Sequence, residues 1–410
     1  MEGIVGKIKK VCLLTNFNLY ESKRYFTEKF AEAMQRHGLE TKIIDAKEKD
    51  LSKGAIQSIR SFAPDFTCSF NSFDPIVQGT FLWDFLEIPH ASFLVDPSFY
   101  STALVNSPYS IITCVDRSDC AAVASSGFEK VMFLPHAVER ELAPVENLER
   151  IYDVALLGTC YDYETLRAKW RQDLSAPLIK MLDDAAEIVL SNDKISLAEA
   201  LVAAWNASKL DPKDVDFSLL YYYLDNYTRG KDRIELVKSI KHGHVHIFGE
   251  MDVDNKIAKN GWKHYLGTQK NVTLHPPVPF GKSMDILKQS KIVLNSMPFF
   301  RDGTHERVFT GLACGALPLT SESAYLHEQF KENEDLLFYK GAARAEAGAK
   351  VEEWLSNEKR RSEAAAKGRA KVMKHHTWDQ RVETLIDTLP PMLQEINKRT
   401  KNTLIAKTKK

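Results

Sequence analysis

The 410-residue sequence has no excess of charge of either sign and few cysteines, and both facts exclude classes of protein. Lys plus Arg and Asp plus Glu each number 55, so no net charge draws the molecule as a whole to nucleic acid. The six cysteines form no CxxC pair and have no clustered histidine partners. Their spacing therefore supports neither a zinc site nor a disulfide framework.

Long apolar runs are also missing. No segment approaches the 18 apolar residues of a membrane-spanning helix, and residues 1–10 lack the apolar stretch of a signal peptide. We therefore expect a cytoplasmic protein. The last dozen residues are basic, which is typical of a solvated tail, and a peripheral membrane contact is the alternative.

Alternating strand and helix patterns predict an α/β protein. An apolar run at 9–16 is typical of a buried strand, and residues 21–37 follow it with apolar side chains at helical spacing. Further short strands are predicted at 41–44, 66–70, 91–95, 111–115 and 131–134. Such repeats form parallel sheets, in which ligands bind at the carboxyl ends of the strands.

A second series of the same kind begins at residue 151, where a strand at 153–157 leads into Gly158. Residues 163–241 are mostly helical in pattern, with breaks at 192–194 and Pro212, and we interpret them as a helical insertion. Strands at 245–248, 272–274, 291–295 and 317–320 follow, with helices at 304–314 and 378–397.

The sequence thus predicts two Rossmann-like βα domains. The first covers residues 1–145, and the second, which contains the insertion, covers 146–375. A closing helix and the basic tail cover 376–410. The length of the chain supports two domains rather than one.

The densest polar segment runs from 295 to 315, from the end of a strand through a loop into a helix. The N–H groups at a helix start form an anion site. Arginines here can neutralise phosphate, whereas carboxylates and hydroxyls can hold sugar hydroxyls. An ordinary capped helix is the alternative. The candidate residues of the segment for binding such a sugar phosphate are Asn295, Arg301, Asp302, Gly303, Thr304, His305, Glu306, Arg307 and Thr310.

Five stretches, in order, resemble the CgeB-like (spore-maturation protein) glycosyltransferases of the GT-B fold, which are related to the group 1 glycosyltransferases. They are FLVDP at 93–97, LPHA at 134–137, YDVALLG at 152–158, KIVLN at 291–295 and ERVFTGLACG at 306–315. HTWDQR at 376–381 resembles the start of the closing helix of that family. The resemblance covers roughly residues 65 to 390.

This resemblance implies transfer of a sugar from a nucleotide-activated donor to a protein, glycan or lipid-linked acceptor, without a metal or other cofactor. It also implies that the second domain binds the nucleotide sugar and the first domain holds the acceptor, on the two sides of a cleft. Members usually carry a ribose-binding Glu at the position of Thr310. A hydroxyl cannot replace that charged acceptor, so we expect Glu306 or Asp302 to take its role.

Other candidates lie at predicted strand ends. Asp96 is the candidate acceptor-side base, with a turn-forming Asp-Pro as the alternative. His136 is a candidate donor to a phosphate or sugar oxygen, with a hinge histidine as the alternative. Gly158 would let backbone approach the ligand. Arg167 would reach the diphosphate unless it is a solvated helix charge.

On the acceptor side, Asn16, Asn18 and Tyr20 follow the first strand, although turn formation alone would explain the asparagines. Three further motifs are better explained by structure than by function. The DxD of Asp252 and Asp254 is typical of a charged loop rather than a metal site. Residues 221–223 are expected to form aromatic core rather than to stack on a sugar, and the histidines at 375–376 are expected to start a helix rather than to bind a metal.

Two rival functions remain open at this point. One is a nucleotide-sugar epimerase on the same two-domain plan, which would act without an acceptor. The other is a carbohydrate- or nucleotide-binding protein that has lost catalysis, which the missing Glu at Thr310 keeps open.

Overall fold

A computed structural model of the chain describes residues 8–46, 53–77, 79–251 and 259–408, with the backbone alone at residue 53 and at 399–408. The chain divides into two compact units. Unit 1 comprises residues 1–141 and 375–410, and unit 2 comprises residues 142–374.

Unit 1 contains a parallel six-stranded sheet in the order β2-β1-β3-β4-β5-β6. Its elements are β1 (Lys10–Asn16), α1 (Ser22–Arg36), β2 (Glu40–Ala46), α2 (Lys53–Phe62), β3 (Phe66–Phe70), α3 (Leu82–Leu86), β4 (His90–Leu94), a 3₁₀ segment (Ser98–Asn106), β5 (Ser110–Cys114), α4 (Arg117–Ser125) and β6 (Val131–Phe133). Strands β3, β4 and β5 are buried along their whole length, as expected of strands covered on both faces.

Unit 2 contains a second parallel sheet in the order β12-β11-β10-β7-β8-β9. Its elements are β7 (Tyr152–Leu157), α5 (Tyr163–Asp173), α6 (Ala176–Ser191), α7 (Leu197–Ser208), a 3₁₀ segment (Pro212–Asp214), α8 (Phe217–Ser239), β8 (Val245–Phe248), α9 (Trp262–Leu266), β9 (Val272–His275), α10 (Phe280–Lys288), β10 (Ser290–Asn295), α11 (Glu306–Ala313), β11 (Leu317–Ser321), α12 (Ala324–Gln329), β12 (Leu337–Tyr339), a 3₁₀ segment (Gly341–Glu346), α13 (Ala347–Ser356) and α14 (Glu358–His375).

Helices α5 to α8 form the segment interpreted as a helical insertion. Its breaks follow local chemistry, since α6 ends at Ser191 and Pro212 opens the 3₁₀ segment. Helix α7 starts with a capping box: Ser196 Oγ accepts from Glu199 N at 3.2 Å, and Glu199 Oε2 accepts from Ser196 N at 2.8 Å.

The last helix, α15 (Trp378–Thr408), belongs to unit 1. Trp378 is buried, with its ring 5.6 Å from Phe30 and 5.5 Å from Phe70. The Arg36 guanidinium binds both carboxylate oxygens of Asp379, at 2.9 and 2.6 Å. An aromatic cluster and a bidentate ion pair therefore hold the start of α15 against α1 and the sheet of unit 1.

Some element boundaries differ from the sequence-based expectations. The helix expected from residue 304 begins at Glu306, because His305 is extended at φ −113° and ψ 145°. Helix α15 continues past residue 397, where the sequence contains no Gly or Pro to stop it. Strand β12 was not anticipated from the sequence. Among the described residues, no helix combines the length and apolarity needed to span a membrane.

Candidate active site

Two glycines bring the ends of β7 and β8 in unit 2 into contact. Gly158 has φ +149° and Gly249 has φ +152°, a region that residues with a side chain rarely adopt. A Cβ atom on Gly249 would lie 2.2 Å from the carbonyl oxygen of Gly158. Any larger residue would therefore push apart the backbone at the carboxyl ends of these strands.

Arg233, on α8, lies against the same turn. Its Nη1 donates to the carbonyl of Thr159 at 2.6 Å, and a Cβ atom on Gly158 would lie 3.1 Å from that nitrogen. The side chain is buried, and its Nε has no hydrogen-bond partner. Within the described part of the chain, no carboxylate forms an ion pair with Arg233. A buried guanidinium without a counter-charge is costly, and an anionic ligand would remove that cost.

Arg307, in the first turn of α11, is the second cation at this turn. Its Nη1 donates to Asn295 Oδ1 at 3.3 Å, and its Nη2 would lie 3.9 Å from a Cβ atom on Gly158. Asn295 is fully buried at the end of β10 and donates to Thr320 Oγ1 at 2.8 Å. Asn295 is thus a support for Arg307, because its amide is held between that side chain and β11.

Helix α11 begins beside these arginines. Its N-cap residue, His305, makes no side-chain capping bond, and Glu306 stands in the first turn. The Glu306 carboxylate lies 2.8 Å from His305 Nδ1 and 3.8 Å from Arg307 Nη2. Burial lowers the pKa of His305, and the neighbouring Glu306 raises it in part. The helix dipole adds positive potential at this end.

One turn before Arg233 on α8, Arg229 is already neutralised. Its Nε donates to Asp225 Oδ1 at 2.6 Å, and its guanidinium carbon lies 3.5 Å from the centre of the Phe299 ring. Arg229 therefore shapes the wall of the site through an ion pair and a cation–π contact rather than through available charge.

Three predicted donor-binding residues have other partners, and we correct their roles. The Arg301 guanidinium contacts Val189 O at 2.6 Å, Ile195 O at 3.2 Å and Asp193 Oδ1 at 3.6 Å. These contacts hold the loop after β10 against the helical insertion, so Arg301 is structural and does not meet the phosphate as predicted.

Arg167 also binds within the insertion, to Asp183 Oδ1 at 2.9 Å and Tyr227 OH at 3.3 Å. Its expected contact with a diphosphate is replaced by a link between α5, α6 and α8. Thr310 is buried, and its hydroxyl donates to the carbonyl of Glu306 at 3.1 Å. Because that proton stays within the helix, Thr310 lines the packed face of α11 and not a sugar pocket.

The remaining residues of the loop are backbone or buried groups. The carbonyl of Gly303 accepts from Ser323 Oγ at 2.6 Å, and Thr304 is fully buried with its hydroxyl on the carbonyl of His305, at 3.3 Å. Asp302 is half-buried in the same loop. They fix the path of the chain into α11.

In unit 1, Asp96 is exposed directly after β4 and is held by Asn71. Asn71 Nδ2 donates to Asp96 Oδ2 at 2.8 Å, while Asn71 Oδ1 accepts from Val95 N at 2.9 Å and Asp96 N at 3.3 Å. Asn71 has φ +58°, which an asparagine tolerates. The carboxylate therefore has a fixed orientation and one oxygen outside this bond.

Lys23, in the first turn of α1, connects the neighbouring strand ends. Its Nζ lies 3.5 Å from Asn16 Oδ1 at the end of β1. Burial lowers the pKa of Lys23, and the nearby carboxylates of Asp96 and Asp74 raise it. The predicted acceptor-side residues Asn16 and Asp96 are thus brought together around one ammonium group.

The other acceptor-side predictions have structural explanations. Asn18 binds the first turn of α1, with Oδ1 accepting from Lys23 N at 3.2 Å and Nδ2 donating to Ser22 Oγ at 2.8 Å. Tyr20 is half-buried in the same turn. His136 is 2% exposed and packs edge-on against Phe26, with ring centroids 5.7 Å apart. This burial and aromatic packing favour the structural alternative for His136, and its catalytic role stays a prediction.

Metal-binding motifs gain no support from the described residues. Asp252 and Asp254 of the DxD lie outside them. Inside them, no three side chains of His, Cys, Asp or Glu are grouped so that they could hold a metal ion. Tyr221 and Tyr223 are buried in the insertion, and His376 is buried beside Arg381, where burial lowers its pKa to about 3.

Sequence reasoning missed Arg233, Arg229, Lys23 and Asn71. Arg229 and Arg233 are four residues apart, which places both on one face of a helix, but the helix lay in a segment interpreted as an insertion. Lys23 and Asn71 gave no signal, since a lysine in a helix and an asparagine in a turn are ordinary.

Residues 231–387 match a glycosyl transferase-like family model, and this segment contains Arg233, Asn295, Glu306 and Arg307. No curated protein matches the chain.

Solved structures match almost its full length at low identity. A glycosyltransferase from Rickettsia africae is 10% identical with a TM-score of 0.52, over 95% of this chain and 99% of that one. The sucrose-phosphate synthase of Thermosynechococcus elongatus is 9% identical with a TM-score of 0.57, over 94% and 100%. The chain has the GT-B fold.

A third match, Anabaena Alr3699/HepE in complex with UDP and glucose, is 9% identical with a TM-score of 0.53, over 93% and 99%. The predicted fold class, with two parallel sheets and interleaved helices, is confirmed. The family model agrees with the glycosyltransferase activity predicted from the sequence. The narrower resemblance to the CgeB-like subfamily stays a prediction.

Proposed function

We propose that the chain is a metal-independent hexosyltransferase, of the CgeB-like branch of glycosyltransferases, that uses a nucleotide-activated sugar. Unit 2 binds the donor and unit 1 binds the acceptor. The observation that carries the proposal is Arg233: a buried guanidinium without a carboxylate partner among the described residues, at the carboxyl end of β7. It lies inside the segment that matches the glycosyl transferase-like model.

The donor diphosphate is the anion that fits this position. Arg233 and Arg307 present two planar guanidinium groups beside Gly158, and arginine binds phosphate oxygens with paired hydrogen bonds. The first N–H groups of α11 add donors that the helix itself does not use. Because Gly158 has no side chain, the Arg233 guanidinium can lie against the backbone at this turn.

The reaction breaks the bond between the anomeric carbon and the diphosphate oxygen, and the electron pair leaves with the nucleoside diphosphate. Arg233, Arg307 and the start of α11 stabilise this developing charge from fixed positions. These groups supply positive charge without a divalent ion, which supports the metal-independent form of the proposal.

On the acceptor side, Asp96 is the base. Its carboxylate accepts the proton of the acceptor hydroxyl while that oxygen bonds to the anomeric carbon. Asn71 fixes the orientation of the carboxylate through the 2.8 Å bond, and Lys23 is the neighbouring cation. The acceptor hydroxyl belongs to a glycan, a protein or a lipid-linked saccharide.

Release of nucleoside diphosphate tests this function. The full chain is incubated with a panel of nucleotide sugars, with and without pooled glycan, protein and lipid-linked acceptors. A transferase releases nucleoside diphosphate faster with acceptor. Conversion of the sugar without acceptor would indicate the epimerase, and tight nucleotide binding without turnover would indicate the non-catalytic alternative.

The cellular location and the contribution of the tail remain predictions. Side chains from residue 399 onward lie outside the description, so the membrane contact of the basic tail rests on its composition.

A further inference from the structure

Unit 1 exposes large apolar side chains mainly in three loops. They are Phe17, Leu19, Ile76, Val77 and Tyr100, each between 46% and 67% exposed, and together we call them the apolar rim. Phe17 and Leu19 follow β1, Ile76 and Val77 follow β3, and Tyr100 lies in the 3₁₀ segment after β4. The three strands are consecutive in the sheet, and each is roughly 4.8 Å from the next. Elsewhere in the described part of unit 1, the exposed large apolar side chains are Ile43 and Phe85.

The same three loops carry the polar acceptor-side groups. Lys23 meets Asn16 at the end of β1 and acts electrostatically on Asp74 after β3 and Asp96 after β4. The guanidinium carbon of Arg24, next to Lys23, lies 5.7 Å from the centre of the Phe17 ring. The segments that carry the rim and the candidate base therefore leave the sheet at the same edge, at the carboxyl ends of neighbouring strands.

Exposed apolar patches of this kind mark binding sites more often than they serve the fold. A bare sugar offers the rim little to bury, whereas a hydrocarbon chain gains about fourfold in affinity for each CH₂ that is fully buried. What must reach Asp96 is the acceptor hydroxyl, so the neighbouring rim contacts the part of the acceptor attached to it.

The charges at the centre indicate the chemistry of the head group. Lys23 is acted on by two carboxylates, Asp74 and Asp96, and the guanidinium of the adjacent Arg24 is already paired with Asp45 at 2.8 Å. This balance of charge disfavours a phosphate or carboxylate on the ligand and suits neutral sugar hydroxyls. We propose that the acceptor is an amphiphilic neutral glycoside, with its sugar at Asp96 and its hydrocarbon chain on the apolar rim. This inference rests on the proposed function, because it assumes that unit 1 holds the acceptor.

Binding of n-alkyl glucosides to the full chain tests it, by calorimetry below the concentrations at which each forms micelles and with no nucleotide present. Hexyl, octyl and decyl glucoside share one head group, so the ratio of their affinities measures the contribution of the alkyl chain alone. We expect at least a tenfold rise from hexyl to decyl. Equal affinities, or no binding by any member, would overturn the proposal.

A triple variant, Phe17→Ser with Leu19→Ser and Val77→Ser, should lose most of that rise at an unchanged Tm, because all three side chains are exposed. The matched control removes three exposed apolar side chains elsewhere: Phe85→Ser, Val145→Ser and Val202→Ser. It should keep the rise. A chain-length effect that survives the first variant would reject the rim as the site.

Two further measurements separate the alternatives. If sedimentation shows that the wild type self-associates and the triple variant does not, the rim is an interface between copies and the proposal fails. Nucleoside diphosphate binding by unit 2 is measured in parallel. If nucleoside diphosphate does not bind, unit 2 is not the donor site, but the affinities of the alkyl glucosides for unit 1 can still be compared.

Discussion

Gly158 and Arg233 are in direct contact at the carboxyl end of β7: a Cβ atom on Gly158 would lie 3.1 Å from Nη1 of the arginine. The glycine is held at φ +149° and also supports Gly249, whose own Cβ would meet the Gly158 carbonyl at 2.2 Å. The backbone of Gly158 and the guanidinium of Arg233 are therefore coupled at this turn. A side chain added at Gly158 must displace the guanidinium.

Gly158→Ala should weaken nucleoside diphosphate binding by about tenfold or more, since the added methyl group displaces the Arg233 guanidinium and one charge-assisted hydrogen bond is about 1.5–3 kcal/mol. Calorimetric titration measures the affinity. Gly127→Ala is the control, because Gly127 also has a positive φ, +84°, but no atom lies within 4 Å of its Cβ position. Gly127→Ala should cost stability without changing affinity, and equal effects in both variants would reject the contact.

Glu306→Gln should weaken binding of the nucleotide sugar by about tenfold while leaving inorganic pyrophosphate binding unchanged or tighter. The carboxylate is proposed to hold hydroxyl groups of the donor, an interaction of about 1.5–3 kcal/mol, whereas near Arg307 it repels phosphate. Glu322→Gln is the control, because Glu322 also pairs with a histidine, His327, in unit 2. If both ligands lose affinity together, Glu306 acts only by holding the site in shape.

Asp96→Asn should leave donor affinity nearly intact and slow transfer by about 10²–10⁴-fold, the usual scale of general acid–base catalysis. The amide oxygen of the new residue can still accept from Asn71, so the turn is preserved. Asp74→Asn removes the other exposed carboxylate that acts on Lys23 and should change the rate only a few-fold. Near-wild-type transfer by Asp96→Asn would leave unit 1 without a base.

Unit 1 should lose stability as the pH falls from about 6.5 to about 3. His90 is bonded between Thr67 Oγ1 at 2.8 Å and Ser69 Oγ at 3.1 Å, and burial lowers its pKa to about 3. In that interval the unfolded chain binds a proton that the folded chain does not, so folding weakens by up to about 1.4 kcal/mol per pH unit for each such histidine.

Urea unfolding at pH 7 and pH 4.5 measures this effect. His90→Gln should flatten the dependence even though it lowers stability overall, whereas His242→Gln, which removes an exposed histidine, should leave it unchanged. An unaltered slope in His90→Gln would show that His90 does not set the acid sensitivity.

The fold was predictable because its signals are local. Apolar runs such as the one that became β3 indicate strands buried on both faces, and Asn192 and Pro212 interrupt the insertion where the sequence suggests. The end of α15 was less predictable, because its last residues are basic and carry no stop signal.

The candidate site was only partly predictable, because it depends on which helix returns to which strand. Gly158 and Asn295 follow from their positions at strand ends, and Arg307 follows from its position at the start of a helix. Arg233 comes from a helix about 75 residues beyond β7 along the chain, and only the packing of α8 brings it to Thr159. Arg301 is the opposite case. The sequence predicted that its guanidinium would bind phosphate, but the guanidinium instead contacts groups of the helical insertion.

The central claim is that Arg233 meets the diphosphate of a nucleotide-sugar donor without a metal. Calorimetric titration of the wild type, Arg233→Gln and the exposed control Lys238→Gln with a set of nucleoside diphosphates, each with and without EDTA, tests it most directly. We expect one nucleotide to bind the wild type and Lys238→Gln equally with or without chelator, and Arg233→Gln at least tenfold more weakly. Binding that disappears with EDTA, or that is unaffected by Arg233→Gln, would contradict the account.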